Sequence, residues 1–135
     1  MSILIYNCTA VLMDTESTIL KNAFVTVEGS QILSVGTQRP AGPFAEEIDG
    51  GGNVLMPGLV NAHTHVPMTL LRGYGVGHDL QDWLNNYIFP KEALLDARAV
   101  RAGTALGLAE MIASGTTTIA DMYYFCDGIA QECVA

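Results

Sequence analysis

The hydrophobic pattern divides the chain into a β-rich first part and a second part in which strands alternate with helices. Aliphatic and β-branched residues dominate 3–13, 23–28 and 31–35, which predicts three short strands. A Gly-Ser pair separates the last two, and a two-residue turn with glycine first is typical of a β-hairpin. We therefore predict a small β unit over residues 1–57.

From residue 58 onward the pattern changes to strand, helix and strand. Residues 59–62 are mostly apolar and residues 116–120 are mostly β-branched, which predicts two buried strands. Because helical sequence lies between them, the two strands should be parallel and joined by a right-handed crossover. The fold class predicted for residues 58–135 is therefore α/β.

Two helices are predicted between these strands. Asp79 can cap a short helix that Pro90 should end, and Asp96 can cap a longer helix that Gly115 closes. Two glycines lie four residues apart in the longer helix, which lets it pack closely against a neighbour. Each glycine lowers helix propensity by about 1 kcal/mol relative to alanine.

Composition excludes several classes of function. The chain has 135 residues, is 50% hydrophobic and carries a net charge of -8, so it can bury a core but lacks a basic face for nucleic acid or anionic membrane. Three cysteines without a Cys-x-x-Cys pair indicate reduced thiols. The N-terminal run has no cationic region and is interrupted by Asn7, so neither a signal peptide nor a membrane span is predicted. We therefore expect a cytoplasmic protein.

His63 and His65 are the clearest candidates for chemistry. Residues i and i+2 of a strand point to the same face, so the two imidazoles should project together from the carboxyl end of the strand. Two imidazoles on one face make half of a zinc-type site. The alternative is that both rings cap the strand by hydrogen bonding. His78 lies among glycines and is interpreted as a loop residue in preference to a metal ligand.

Three further features have a structural and a functional interpretation. Trp83 is either a core anchor or a wall of a pocket, and Asp121 is either catalytic or, as we favour, a partner of loop amides. The triple glycine 50–52 lacks the Gly-Lys-Ser/Thr ending of a phosphate loop, which favours a flexible turn.

Several motifs together resemble one known family. Residues 57–65, Pro-Gly-Leu-Val-Asn-Ala-His-Thr-His, resemble the metal-site strand of the amidohydrolase superfamily. The resemblance narrows to the methylthioadenosine/S-adenosylhomocysteine deaminase branch, close to the triazine chlorohydrolases, through the motifs at 67–73, 82–84, 88–92, 109–118 and 121–123.

The resemblance implies a metal-dependent TIM (β/α)8 barrel preceded by a small β-sandwich portion. Residues 1–57 would belong to the sandwich, and residues 58–135 would form the first βα units of the barrel. A complete barrel needs about 250 residues. We therefore expect a truncated chain, the N-terminal third of a longer enzyme, whose two barrel strands leave apolar faces and an edge exposed.

By the same resemblance, the parent enzyme would hydrolytically deaminate the adenine ring of S-adenosylhomocysteine or 5'-methylthioadenosine-type nucleosides. His63 and His65 would hold one divalent metal, with zinc the preferred ion. Glu92 matches a glutamate that binds ribose hydroxyls, and Trp83 would line the same pocket. The remaining metal ligands and the acid/base residues would lie outside this chain, so its catalytic residues are unknown.

Two alternatives stay open at this point. The loop 77–79 departs from the usual family pattern, so a related amidohydrolase acting on a triazine, guanine or another aminated heterocycle is the second candidate. The third is a non-catalytic fragment. The expected partners are a small-molecule substrate and water, with no nucleic acid and no membrane, and a homo-oligomer is left open.

Overall fold

The structure, a computed structural model, describes residues 2–135 and has a mixed α/β architecture, as predicted. Two compact units divide between Pro57 and Gly58. Within the described residues, no helix is long and apolar enough to cross a membrane. All three cysteines are free thiols, as expected, with Cys8 buried and the other two exposed.

The first unit is a five-stranded sheet. Strand β1 lies at its centre, antiparallel to β2 on one side and parallel to β4 and β5 on the other, while β3 extends the sheet beyond β2. The strands are β1 Ser2–Val11, β2 Ile19–Glu28, β3 Gln31–Gly36, β4 Glu46–Asp49 and β5 Val54–Leu55. The predicted hairpin is confirmed, because Glu28 pairs with Gln31 around Gly29, whose φ of +59° suits glycine.

The triple glycine forms a turn, as favoured from the sequence. The amide of Gly50 donates to the carbonyl of Tyr6 at 2.8 Å, and that of Gly52 donates to the carbonyl of Asn7 at 2.7 Å. Gly51 and Gly52 both have positive φ. Since two of the loop amides are bonded within the sheet, the glycines serve the β4–β5 connection.

The second unit contains two strands and several helical segments. They are β6 Leu59–Thr64, a 3₁₀ helix Val66–Leu71, a bent helix made of Leu80–Asp82, Trp83–Ile88 and Phe89–Glu92, a long helix Ala97–Ala113, β7 Thr116–Asp121 and a final helix Cys126–Val134. Strands β6 and β7 pair in parallel, which confirms the crossover prediction. The prediction that both are buried is wrong.

The exposure of β6 has a simple physical cause. Leu59 is 48% exposed and Val60 is 65% exposed. Among residues 2–135 the β6–β7 sheet has only two strands, so most of the apolar surface of β6 has no covering layer. The expected exposure of apolar faces and edges is thereby confirmed.

The bent helix corrects a second prediction. Asp79 caps it as predicted, accepting from the amides of Gln81 and Asp82 at 3.0 Å. Pro90 does not end it. Over Trp83–Ile88 the hydrogen bonds widen to the π pattern, so the amide of Phe89 reaches the carbonyl of Leu84. This local widening gives the proline ring room, and the helix continues to Glu92.

The long helix packs against the 3₁₀ helix through its two glycines, which confirms the packing role predicted for them. A Cβ atom on Gly103 would lie 2.6 Å from the carbonyl oxygen of Pro67, and one on Gly107 would lie 2.6 Å from a methyl group of Val66. Asp96 caps the helix by accepting from the amide of Ala99 at 2.7 Å, as predicted. The turn that follows the helix is closed by Gly115 with φ of +86°.

Replacing Gly103 with alanine should therefore destabilise the second unit. The alanine would gain about 1 kcal/mol of helix propensity, but the backbone of Pro67 cannot move aside cheaply, and overpacking costs about 1–3 kcal/mol. We expect a lower urea midpoint for Gly103→Ala. The control is Gly128→Ala, where the added atom meets only the flexible side chain of Arg101. An unchanged midpoint in Gly103→Ala would contradict this packing.

Candidate metal centre and adjoining pocket

The structure brings the rings of His63 and His65 together at the carboxyl end of β6. Their centroids are 5.2 Å apart and the rings meet edge to face at 86°. The regular alternation of side chains along a strand is not the only cause of this arrangement, because the register of β6 is irregular next to the histidines. Between Asn61 and Thr64 the strand contains one residue more than the facing segment of β7, which is a β-bulge. His65 lies just beyond the last strand residue.

His65 is oriented by a backbone hydrogen bond. Its Nδ1 lies 2.6 Å from the carbonyl oxygen of Met122, the residue that follows β7. A carbonyl can only accept, so Nδ1 donates to it, and in the neutral form of the ring the lone pair is then on Nε2. The ring thus has the tautomer and the fixed direction that a metal-binding histidine requires.

Asp121 holds the turn that follows the histidines. Its Oδ2 accepts from the amide of Val66 at 2.7 Å, which confirms the interpretation of this acid as a partner of loop amides. Its other oxygen, Oδ1, is buried and has no hydrogen-bond partner. The carboxylate therefore connects β7 to the first residue of the 3₁₀ helix and still has one free acceptor.

A mostly apolar cavity of about 550 Å³ lies beside His65. Its lining combines aliphatic side chains with a few polar groups, and it includes His65, Trp83, Glu92, Met122 and Tyr123. A neighbouring cavity of about 560 Å³ also includes Glu92. The structure thus gathers three of the four predicted site residues around one space, and His63 adjoins it through His65.

Trp83 and Glu92 reach the cavity from the bent helix. The indole Nε1 of Trp83 donates to the carbonyl of Tyr74 at 2.9 Å, so its polar edge is occupied and its ring face is available. Trp83 therefore lies in the wall of the cavity rather than in a closed core. Glu92 is at the C-terminal end of the same helix. The binding roles assigned to both residues stay predictions.

Tyr123 is a cavity residue to which the sequence analysis assigned no role of its own. Its ring centroid lies 6.3 Å from that of His65. The phenol oxygen is buried and makes no hydrogen bond of ordinary geometry. Burial raises the pKa of the Tyr123 phenol well above its usual value, and the nearby carboxylate of Glu92 raises it further. The only signal in the sequence was its position two residues after the strand end.

His78 lies apart from the histidine pair in its interactions. Its Nδ1 is 2.6 Å from Oδ2 of Asp82, and its ring stacks on Tyr87 with centroids 4.1 Å apart. The hydrogen bond from Asn86, and then that from His78, lower the pKa of Asp82. In the part of the chain that the structure describes, no three His, Cys, Asp or Glu side chains converge as a metal-binding group.

Comparison with known proteins identifies the family of this chain. A model of the amidohydrolase family matches residues 54–134. A 5'-deoxyadenosine deaminase of Methanocaldococcus jannaschii is 47% identical over 121 residues, which are 84% of this chain and 29% of that protein. A 5-methylthioadenosine/S-adenosylhomocysteine deaminase of Syntrophomonas wolfei is 42% identical over 97% of this chain and 31% of that protein. The chain thus spans less than a third of the length of these relatives.

Solved structures show the same fold. An adenosine deaminase from Xanthomonas campestris with bound zinc is 36% identical, with a TM-score of 0.80 over 96% of this chain and 30% of that one. An atrazine chlorohydrolase from Arthrobacter aurescens complexed with zinc is 21% identical, with a TM-score of 0.89 over 98% of this chain and 33% of that one. Because the family model covers more than half of its residues, this chain belongs to the amidohydrolase family.

Proposed function

We propose that the protein takes part in hydrolytic deamination of the adenine ring of 5'-substituted adenosine-type nucleosides, such as 5'-deoxyadenosine, 5'-methylthioadenosine or S-adenosylhomocysteine. One observation carries the proposal. A histidine with a free Nε2 and the carboxylate of Glu92 line the same apolar cavity. The names of the two deaminase relatives support this class of substrate.

The proposal includes the finer architecture. Residues 58–135 would be the first βα units of a TIM barrel, and residues 1–57 would be part of a small β-sandwich. The parallel pair β6–β7 and the helices that connect and follow these strands support the first assignment. A cytoplasmic location also belongs to the proposal, because free thiols are typical of a reducing compartment.

His63 and His65 fit a divalent metal as two of its ligands. Their rings meet edge to face, and the second is oriented by the carbonyl of Met122. Imidazole nitrogens suit zinc, and the two zinc-bound relatives favour that ion. When bound, zinc would lower the pKa of a coordinated water to about 7 and so supply hydroxide at neutral pH. The other ligands and the proton-transfer groups are not assigned among residues 2–135.

The cavity offers complementary contacts to a nucleoside. Glu92 can accept hydrogen bonds from two ribose hydroxyls because a carboxylate has two acceptor oxygens. The indole face of Trp83 can stack on an aromatic base, since its N–H is already occupied by Tyr74. The aliphatic lining suits the apolar 5' groups of 5'-deoxyadenosine and 5'-methylthioadenosine. Together these groups bind and orient the substrate beside His65.

A second candidate is a related amidohydrolase that acts on a triazine, guanine or another aminated ring. The mostly apolar lining of the cavity favours it, because such a ring can be buried there without any ribose contact. The third candidate is a chain without catalytic activity of its own. It is compatible with a β6–β7 sheet of two strands and with two candidate metal ligands among the described residues. The two predictions below separate these possibilities.

The first prediction concerns the metal. A calorimetric titration of the chain with Zn²⁺ should detect binding. The affinity should be at least about 10-fold lower in the double variant His63→Asn/His65→Asn, because both imidazole ligands are lost. The control is His78→Asn, whose ring bonds to Asp82 instead. If the wild type and the double variant bind Zn²⁺ with equal affinity, His63 and His65 are not its ligands.

The second prediction concerns the ribose. In the protein at its full encoded length, Glu92→Gln should raise KM for 5'-deoxyadenosine by roughly 10-fold, because charge-assisted hydrogen bonds to the hydroxyls become weaker neutral ones. The KM for a free aminated base should change little. Ammonia release measures both reactions, and Glu110→Gln is the matched control, since Glu110 is exposed and paired with Arg72.

Two outcomes would contradict the assignments. Equal effects of Glu92→Gln on nucleoside and free base would overturn the ribose contact while leaving deamination intact. If the protein releases ammonia from aminated bases but from no adenine nucleoside, the second candidate replaces the first.

A further inference from the structure

We infer that the hydroxyl of Tyr123 is the donor that positions the carboxylate of Glu92 in the cavity. Tyr123 is thus a positioning residue that acts through Glu92 and does not itself contact the reacting atoms. The value of this arrangement for ribose binding rests on the proposed function. The pairing itself rests on the position of the phenol and on the groups that surround it.

The phenol oxygen of Tyr123 has no partner. It is buried within the chain and has no acceptor in ordinary hydrogen-bond geometry. A buried hydroxyl without a partner is costly, because it has given up water and gained nothing in return. Native structures rarely leave such a group unpaired, so an acceptor should lie within reach of a small side-chain rotation.

Glu92 is the acceptor that the cavity offers, because it lines the same cavity as Tyr123. Besides burial, the nearby carboxylate of Glu92 raises the pKa of the phenol, more strongly than that of Asp121 does. Asp121 accepts from the amide of Val66 through Oδ2, and although its buried Oδ1 has no partner, Asp121 does not line the cavity that holds Tyr123 and Glu92. A rotation of the Glu92 carboxylate would bring an oxygen onto the phenol hydrogen and satisfy it.

Tyr123 follows Met122, whose backbone is hydrogen-bonded through both its amide and its carbonyl. The amide of Met122 donates to the carbonyl of Thr64 at 3.1 Å, and its carbonyl accepts from Nδ1 of His65 at 2.6 Å. The residue before Tyr123 is therefore tied to β6 and to the candidate metal ligand. A donor placed on this segment gives Glu92 a fixed distance from His65.

This coupling has a physical benefit. Glu92 is the last residue of the bent helix, and a glutamate side chain has several rotatable bonds. Holding one of its oxygens on the phenol leaves the other oriented toward a ligand before binding, which reduces the conformational entropy lost on association. The hydroxyl of Tyr123 should therefore affect the binding of a ribose-bearing ligand and not the chemical step.

The test replaces Tyr123 with phenylalanine, which removes the hydroxyl and keeps the ring beside His65. The matched control is Tyr6→Phe, which removes a hydroxyl from the first unit, where the Tyr6 ring lies under Arg39. The first readout needs no activity. In ¹³C-glutamate-labelled chain, the side-chain carboxyl signal of Glu92, assigned with Glu92→Gln, should shift in Tyr123→Phe and stay in place in Tyr6→Phe.

The second readout is kinetic, in the protein at its full encoded length. Tyr123→Phe should raise KM for 5'-deoxyadenosine by about 5-fold with kcat unchanged, and KM for a free base should stay constant. In the Glu92→Gln background, Tyr123→Phe should raise KM for 5'-deoxyadenosine much less than it does in the wild type, because the hydroxyl acts through the carboxylate of Glu92.

Three results would overturn the inference. The first is a Glu92 carboxyl signal that does not shift in Tyr123→Phe. The second is that Tyr123→Phe and Glu92→Gln raise KM by independent factors that multiply. The third is that the effect of Tyr123→Phe on KM is lost only in an Asp121→Asn background. If the Glu92 signal responds but the wild type deaminates no nucleoside, the pairing stands and the proposed function fails. The two failures are thus distinguishable.

Discussion

The hydrogen bond between Nδ1 of His65 and the carbonyl of Met122 is the interaction on which the candidate site depends. It fixes the tautomer of a histidine that lies outside regular strand geometry, and it joins the residue after β6 to the residue after β7. The parallel pairing of the two strands brings these residues together, with Thr64 opposite Asp121. Because the carbonyl belongs to the backbone, its identity does not depend on which side chain occupies position 122.

Close packing of small residues positions the segment that follows the histidines. The 3₁₀ helix Val66–Leu71 lies directly against Gly103 and Gly107 of the long helix, at distances that exclude a Cβ atom. Gly58, just before β6, has the same constraint, since a Cβ there would lie 2.1 Å from the hydroxyl oxygen of Thr117. The site is therefore placed by steric fit as much as by hydrogen bonds.

Features governed by neighbouring residues were predictable from the sequence. The hairpin at Gly29, the caps Asp79 and Asp96 and the C-terminal turn at Gly115 all depend on contacts within a few residues, and each was found as predicted. The π segment before Pro90 was missed, since it results from competition between a proline ring and a helix that continues to Glu92. Local signals favour ending the helix there.

By itself, the sequence determined the order of strands and helices, the presence of two histidines at one strand end and the resemblance to the amidohydrolase family. Only the tertiary structure decided that β6 is exposed, that Met122 supplies the acceptor for His65 and that Tyr123, with a buried hydroxyl, lines the same cavity as Glu92. The reason is physical. Periodicity and capping record contacts close in the chain, whereas burial and partner choice depend on residues as far apart as 65 and 122, which pairing of the strands brings together.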